Sequence, residues 1–282
     1  MTYDLDGFVS WFEAFARRFM GESAEDDVNI MVKVDHTRQV LELAKEITHA
    51  LELDGLLCEL AHLVALFHDV GRFPQYARYR TYNDRASTNH ARLSVEVLRR
   101  EEVLSDCLPG HRRLILGAVY LHNRRSIPET LPSRLSLLTR IVRDADKLDI
   151  MRVMLGQFDL GARANGVVTL GLKPHPTAYT ASILAKVEKR EMVPYEELLW
   201  VNDLKLFLCS WAYDFNFPAS RRILVRKKHL DGVFGCLPET PELRALQERM
   251  RSELLNHPDG CAWPRAILST GRRGEARGDG DG

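Results

Sequence analysis

The chain has 282 residues, 45% of them hydrophobic and 28% charged, so it is long enough to bury a substantial core. Its 39 basic residues balance 39 acidic ones, which argues against a generally basic nucleic-acid-binding protein. The five cysteines are scattered without C-x-x-C spacing, no apolar run approaches the roughly 20 residues of a membrane span, and the acidic N-terminus is unlike a signal peptide. We therefore expect a soluble, cytoplasmic protein with reduced thiols.

Helical periodicity runs through most of the sequence and predicts an all-α fold. The first helix has an aromatic face that includes Phe8, Phe12 and Phe15, which either caps the core or joins two copies in a homo-oligomer. Further helices are predicted at roughly 28–50, 56–69, 88–101, 111–123, 133–151, 178–190, 195–213, 219–229 and 241–256. Only residues 166–172 resemble a strand.

We predict a single helical domain over residues 1–270. Its core spans about 28–151, and additional C-terminal helices span about 152–257. The last residues, 271–282, have no apolar content and are predicted to be disordered. Residues 73–88 form the one long stretch of the first half without helical periodicity, and this predicted loop is aromatic and basic.

Five of the predicted helices carry a potential metal ligand on their apolar face. These residues are His36, His68 with the adjoining Asp69, His90, His122 and Asp146. A single buried histidine is usually a hydrogen-bonded core residue, but buried carboxylates are costly unless they are paired or coordinated. One shared divalent-cation site satisfies all six groups, and imidazole with carboxylate suits manganese, iron or zinc. The pattern therefore favours a metal site.

Two segments around these residues resemble the signatures of the HD-domain superfamily. The segment ALFHDVGRF, which contains His68 and Asp69, is similar to the His-Asp pair that names the family, and RDADKLDIMR is similar to its distant aspartate segment. In that family an upstream histidine, the adjacent pair and the distant aspartate bind one metal. The resemblance assigns these roles to His36, His68, Asp69 and Asp146. It covers roughly residues 28–151 and implies an HD-domain-like helical bundle with additional C-terminal helices.

Two further histidines resemble those of the binuclear members of the family. NHARLSVEVL supplies His90 and YLHN supplies His122. The subgroup that cleaves cyclic di-GMP is not matched, because the chain lacks a Gly-Tyr-Pro element. It also has Arg72 where that subgroup usually has lysine, and Asn123 where it tends to have a second consecutive histidine.

The resemblance implies a metal-dependent phosphohydrolase in which a metal-activated hydroxide attacks the phosphate ester of a nucleotide or another small phosphomonoester or diester. One or two divalent transition-metal ions are expected: manganese, iron, cobalt, nickel or zinc. With two ions, Asp69 is expected to bridge them. Arg72 and Lys147 are predicted to act with Asp69 in catalysis by stabilising the transferred phosphoryl group, and Arg80 and Arg85 are predicted to bind substrate.

Two alternatives stay open at this point. The same six ligands occur in HD-fold mixed-valent di-iron oxygenases, which iron dependence and oxygen consumption would distinguish from hydrolases. The other alternative is a non-catalytic regulatory module that binds a metal or a nucleotide, although degenerate members generally lose ligands. The expected partner is a small phosphorylated molecule, and neither nucleic acid nor a membrane is expected as a partner.

Overall fold

The computed structural model describes residues 2–21, 23–160 and 172–256, and within these ranges the protein is helical with no strand. The helices are α1 (Leu5–Arg17), α2 (Ala24–Ala50), α3 (Gly55–Phe67), α4 (Arg72–Tyr79), α5 (His90–Arg100), α6 (Pro109–Leu121), α7 (Ser133–Leu160), α8 (Ala181–Glu188), α9 (Val201–Ser210), α10 (Pro218–Arg226), α11 (His229–Gly235) and α12 (Pro241–Asn256). The predicted all-α class is confirmed. The segment 166–172 lies outside the described residues except for Leu172, which is not in a strand.

Short polar side chains fix where several helices begin. Ser23 caps α2 by accepting a hydrogen bond from the backbone N–H of Asp26, and Asp54 caps α3 in the same way. Asn89 accepts from the N–H of Arg92 and makes His90 the first residue of α5. These caps set the register of the helices that carry the potential ligands.

The core lies where the two long helices α2 and α7 pack against each other and against α3 and α6. The aromatic face of α1 covers one side of this core. The Phe8 ring meets Phe67 with centroids 5.6 Å apart, and Phe12 meets Phe73 at the same distance. Of the two alternatives for this face, capping of the core is therefore the one observed.

The prediction of a loop over residues 73–88 was wrong for its first half, because α4 spans Arg72–Tyr79. Phe73 and Tyr76, three residues apart, bury one face of this short helix. Pro74 is tolerated because the N–H groups of a first helical turn have no intrahelical partner. Arg80 then ends the helix in the left-handed conformation, with φ of 53°.

The predicted C-terminal helices are present, with one break. The segment 195–213 is not one helix: α9 is preceded by a single 3₁₀ turn at Tyr195–Glu197 and followed by another at Trp211–Tyr213. The side chain of Asp203 accepts hydrogen bonds from the N–H groups of Leu199 and Trp200, which fixes the start of α9. Within the described ranges, no helix combines the length and the apolar character needed to cross a bilayer.

A buried polar contact joins α7 to the C-terminal helices. Asp144 is fully buried, and its carboxylate accepts hydrogen bonds from the N–H of Asn216 at 2.9 Å, the N–H of Phe217 at 3.1 Å and the hydroxyl of Ser220 at 2.7 Å. Burial raises the pKa of Asp144, while the nearby Lys147 ammonium acts in the opposite direction. The contact fixes the start of α10 against the middle of α7.

Candidate metal centre

The fold brings all six predicted ligands together at one place in the core. His36 and Asp146 lie in the middle of α2 and α7, His68 and His122 are the C-terminal caps of α3 and α6, Asp69 follows His68, and His90 opens α5. The cluster thus sits at the C-terminal ends of two helices, where the unpaired carbonyl groups create a partial negative charge that favours cations.

One group of donor atoms, which we call the His36 half, surrounds Oδ2 of Asp69. The Nε2 atoms of His36 and His68 lie 3.7 Å and 3.8 Å from this oxygen. Oδ1 of Asp146 lies 3.1 Å from Nε2 of His36 and 3.7 Å from Nε2 of His68. The nitrogen and oxygen atoms of four side chains therefore point at one small volume.

The second group, which we call the His90 half, surrounds Oδ1 of the same carboxylate. Nε2 of His90 lies 3.4 Å from Oδ1 of Asp69, and Nε2 of His122 lies 3.8 Å from it. The two Nε2 atoms are 3.0 Å apart. Asp69 thus presents one oxygen to each half.

Each of the four histidines uses Nδ1 for a hydrogen bond directed away from the cluster. The acceptors are Asp149 for His36, the carbonyl of Ala65 for His68, Asp84 for His90 and the carbonyl of Val119 for His122, each at 2.7 Å. A neutral ring that donates through Nδ1 turns the lone pair of Nε2 toward the cluster. This is the tautomer that a metal-binding histidine requires.

The arrangement suits a cation between the donor atoms. With neutral rings, the Nε2 lone pairs of His90 and His122 face each other, and that of His36 faces an oxygen of Asp146. The Nε2 atoms of His36 and His68 are buried and have no hydrogen-bond partner. Acceptors that oppose one another repel, and an unpaired buried polar atom is costly. Imidazole nitrogen and carboxylate oxygen are ligands for divalent transition metals, so these residues fit such ions.

The ionisation of Asp69, His90 and His122 is consistent with this interpretation. His36 differs, because burial and Lys33 act to lower its pKa but the contacts with Asp146 and Asp149 raise it above its ordinary value. Burial alone would raise the pKa of Asp69, but the charges of Lys33 and Arg72 hold it well below its usual range. Burial lowers the pKa of His122 to about 3, and the neighbouring His90 acts in the same direction. Burial and the Arg72 guanidinium also lower the pKa of His90. An ionised carboxylate beside neutral imidazoles is the state that binds a metal.

Gly71 allows α5 to approach the His68–Asp69 turn. A Cβ atom at this position would lie 2.4 Å from the backbone nitrogen of Ser94 and 2.5 Å from the carbonyl oxygen of His90. The hydroxyl of Ser94 accepts from the N–H of Gly71 and donates to the carbonyl of His68. Gly71 is therefore required for a close approach of two backbones, which places His90 beside Asp69.

Two cations border the carboxylate that both halves share. Nζ of Lys33 lies 2.8 Å from Oδ2 of Asp69, and Nε of Arg72 lies 3.4 Å from Oδ1. The Arg72 guanidinium is held in place by the carbonyl of Tyr82 at 2.6 Å and by Asp84 at 3.0 Å. Arg72 thus reaches the cluster as predicted, and Lys33 joins it.

The other three predicted cations contact acidic residues outside the cluster. Lys147 follows Asp146 directly, so its side chain leaves α7 about 100° around the helix axis from that of Asp146. It is buried there against Asp214. Arg80 pairs with Asp26 at 2.7 Å. Arg85 pairs with Glu196 and lies over the Tyr195 ring. The structure therefore does not bring these three predicted residues to the six ligands.

Sequence reasoning did not identify Lys33, Asp84 and Asp149. Asp149 lies three residues after Asp146 on α7, and Lys33 lies three residues before His36 on α2, so helical spacing was an available signal for both. Asp84 lies in the irregular segment between α4 and α5, where spacing gives no such signal.

A cavity of about 220 Å³ opens beside His36. Lys33, Arg72 and Tyr82 border it near the cluster. Its other walls come from α2, α7 and α9 and from the 3₁₀ turns that flank α9, so the C-terminal helices complete a space next to the ligands.

The comparison with known families agrees with this geometry. The model of the HD domain matches residues 34–151, which contain all six predicted ligands. No curated protein and no solved structure gives a significant match. Residues 34–151 are therefore similar to the HD domain, a family whose members are mostly metal-dependent hydrolases that use divalent ions.

Proposed function

We propose that the protein is a metal-dependent phosphohydrolase that cleaves the ester bond of a small phosphorylated molecule and binds two divalent ions in the cluster. The observation that carries this proposal is the orientation of the four histidines. Every Nδ1 has an acceptor outside the cluster, and every Nε2 is directed at the oxygens of Asp69 or Asp146. An ordinary polar core would pair these nitrogen atoms with donors.

The shared carboxylate favours two ions over one. Asp69 offers Oδ2 to the His36 half and Oδ1 to the His90 half, and each half contains at least two further donor atoms. Divalent ions held there would polarise a phosphoryl oxygen and activate water for attack on phosphorus. The residues of the chain orient the ions, bind the phosphate and exclude bulk water.

Lys33 and Arg72 are the phosphate-binding groups in this proposal. Both lie next to Asp69 and both border the cavity, so an ester that enters the cavity meets them beside the ions. The Arg72 fork suits a tetrahedral oxyanion, and its contacts with Tyr82 and Asp84 fix its orientation before substrate binds. Positive charge fixed in advance stabilises the transition state without reorganisation.

The test is hydrolysis by protein that has been stripped with a chelator and reconstituted separately with manganese, iron, cobalt, nickel or zinc. Phosphate or alcohol release would be measured on phosphomonoesters, phosphodiesters and nucleotides, with metal content measured on the same samples. Asp69→Ala is the inactive reference, and Asp106→Ala, at an exposed position, is the matched control.

We expect release that requires metal, persists in the control and is lost in Asp69→Ala. Tightly bound iron with oxygen consumption and no phosphate release would contradict the hydrolase and favour the oxygenase. No bound metal under any condition would contradict both enzymes and leave the regulatory module.

A further inference from the structure

The cavity beside His36 has two chemically different ends. At one end Lys33, His36 and Arg72 present charge and ligand atoms. The remaining walls are apolar over most of their area, and they come from Val32, Ile150, Met154, Leu204, Leu208 and Trp211. A molecule that fills this space has its charged group at the cluster and an apolar body pointing away from it.

The apolar end offers few hydrogen-bonding side chains. Apart from the hydroxyls of Tyr82 and Tyr195 and the indole N–H of Trp211, the residues that line the cavity beyond the charged end have no hydrogen-bonding side chain. The hydroxyl of Tyr82 is already engaged, because it donates to the carbonyl of Asn29 at 2.9 Å. A nucleobase or a sugar would leave several of its polar groups unpaired there, which disfavours its binding.

Aromatic rings form one wall. The Phe207 ring meets Trp211 edge-on with centroids 5.1 Å apart, and it meets Tyr195 edge-on at 6.2 Å. Rings in this arrangement receive a further ring or an alkyl chain against their faces. Because Leu204, Leu208 and Trp211 are buried, this wall is part of the packed structure.

The volume indicates the size of the body that the cavity encloses. An apolar cavity of about 150 Å³ accommodates benzene, whereas sites for drug-sized ligands measure about 300–1,000 Å³. At about 220 Å³, this cavity suits a single ring with a short chain, or a short alkyl chain.

We propose that the substrate is a phosphate monoester of a small apolar alcohol, with the phosphate at Lys33 and Arg72 and the alkyl or aryl body against the α7–α9 wall. This inference rests on the proposed phosphohydrolase activity and narrows its substrate class. Water would attack phosphorus, the P–O bond to the alcohol would break, and the alcohol oxygen would take up a proton as it leaves.

The first experiment compares esters of equal intrinsic reactivity. Phenylpropyl phosphate, hexyl phosphate, glycerol 3-phosphate and adenosine 5′-monophosphate are all monoesters of primary alcohols, so differences in kcat/KM report mainly recognition of the body. With the metal-reconstituted protein we expect the phenylpropyl and hexyl esters to exceed the glycerol and adenosine esters at least tenfold. A preference of similar size for either polar ester would overturn the inference and leave the proposed hydrolase intact.

Variants locate the effect in the cavity. Val153 lines the wall on α7, and Val153→Phe is expected to raise KM for phenylpropyl phosphate at least tenfold while changing that for glycerol phosphate less than twofold. Val28→Phe introduces the same side chain on α2 at a position that is 58% exposed, and it is the matched control. Phe207→Leu enlarges the cavity and replaces Val153→Phe if that variant does not fold. It is expected to weaken the binding of phenylpropyl phosphate more than that of glycerol phosphate.

A binding measurement separates this inference from the proposed activity. Phenylbutylphosphonate, which replaces the ester oxygen with carbon, would be titrated into the metal-loaded protein by calorimetry. Binding that weakens at least tenfold in Val153→Phe and not in Val28→Phe supports the cavity assignment even if no ester is hydrolysed. Binding of equal strength in both variants, or no binding to the unaltered protein, would overturn it.

Discussion

The two halves of the candidate metal centre share Asp69 but are supported by different kinds of structure. The His36 half takes His36 and Asp146 from the middle of α2 and α7, which are 27 and 28 residues long and pack along each other, and His68 from the C-terminal cap of α3. The His90 half is built on the first residue of α5 and the C-terminal cap of α6.

The carboxylates that bond to Nδ1 of His36 and His90 also differ in how firmly the surrounding structure holds them. Asp149, which holds His36, is on α7, and its side chain is 1% exposed and bonded to Arg152 at 2.6 Å. Asp84, which holds His90, lies outside any helix, and its side chain is 28% exposed. The His90 half therefore depends on local contacts that single substitutions can disturb, whereas His36 and Asp146 are fixed by the packing of the core.

The largest effect is expected from the residue that the two halves have in common. Asp69→Ala removes one ligand oxygen from each half, so both ions should be lost and hydrolysis abolished. Metal content per chain, measured after dialysis against a trace of free metal, checks this prediction. The Asp106→Ala control should keep its metal, and a variant that retained one tightly bound ion would show that Asp69 does not bridge.

Removal of a histidine should weaken metal binding in one half and leave the ion in the other half in place. His90→Ala deletes a ligand of the His90 half alone, so we expect one ion to remain. His36→Ala deletes a ligand from the half with two carboxylates, so the ion that remains should be the more weakly held one. Metal counts for the two variants, with titration of the remaining site, test this difference. Equal counts and equal affinities would contradict the comparison.

Substitutions of the carboxylates that bond to Nδ1 of His36 and His90 should have smaller effects on metal binding. Loss of such a partner typically costs about 10–100-fold in metal affinity. Asp84→Asn should weaken the ion in the His90 half and also loosen Arg72, so KM for phosphate esters should rise. Asp149→Asn should weaken only the ion in the His36 half. Titrations that placed both effects on the same ion would refute the assignment of these partners.

The smallest effect is expected at the turn between the halves. In Gly71→Ala the added methyl would meet the backbone of Ser94 and His90, so α5 must shift. We expect a loss of about 1–3 kcal/mol in the free energy of unfolding, with weaker binding in the His90 half. Denaturant unfolding and metal titration measure these two quantities. Gly110→Ala, where a Cβ atom meets open space in the first turn of α6, should lower neither.

Much of this site was predictable because helical periodicity and chemistry agree. A histidine on an apolar stripe, such as His36 with Val40, Leu43 and Ile47, is expected to point into the core. The resemblance to the HD domain then predicted that these inward-facing side chains meet at one site. The helices of the core were found for the same reason. Where a stripe spans many turns, the sequence alone identifies the buried face.

The rest depended on tertiary contacts that spacing does not encode. Helix α4 has only eight residues and contains Pro74, which in a sequence suggests a break in a helix. The structure places Pro74 in the first turn, where proline is tolerated. Lys147 adjoins a ligand in sequence, yet the packing of α7 directs it to Asp214. Asp84 reaches His90 from an irregular segment, so only the folded chain shows that it supports the site.

The contact of Asp144 with the start of α10 has a consequence for the synthesis of the protein. A ribosome that has completed residues 34–151 has made all six ligands but none of the groups that bond to Asp144, which lie at Asn216, Phe217 and Ser220. A buried carboxylate without partners is costly, so α7 cannot reach its final packing at that stage. We therefore expect a fragment that ends at residue 151 to aggregate or to remain loosely packed, and the site to become ordered only late in translation.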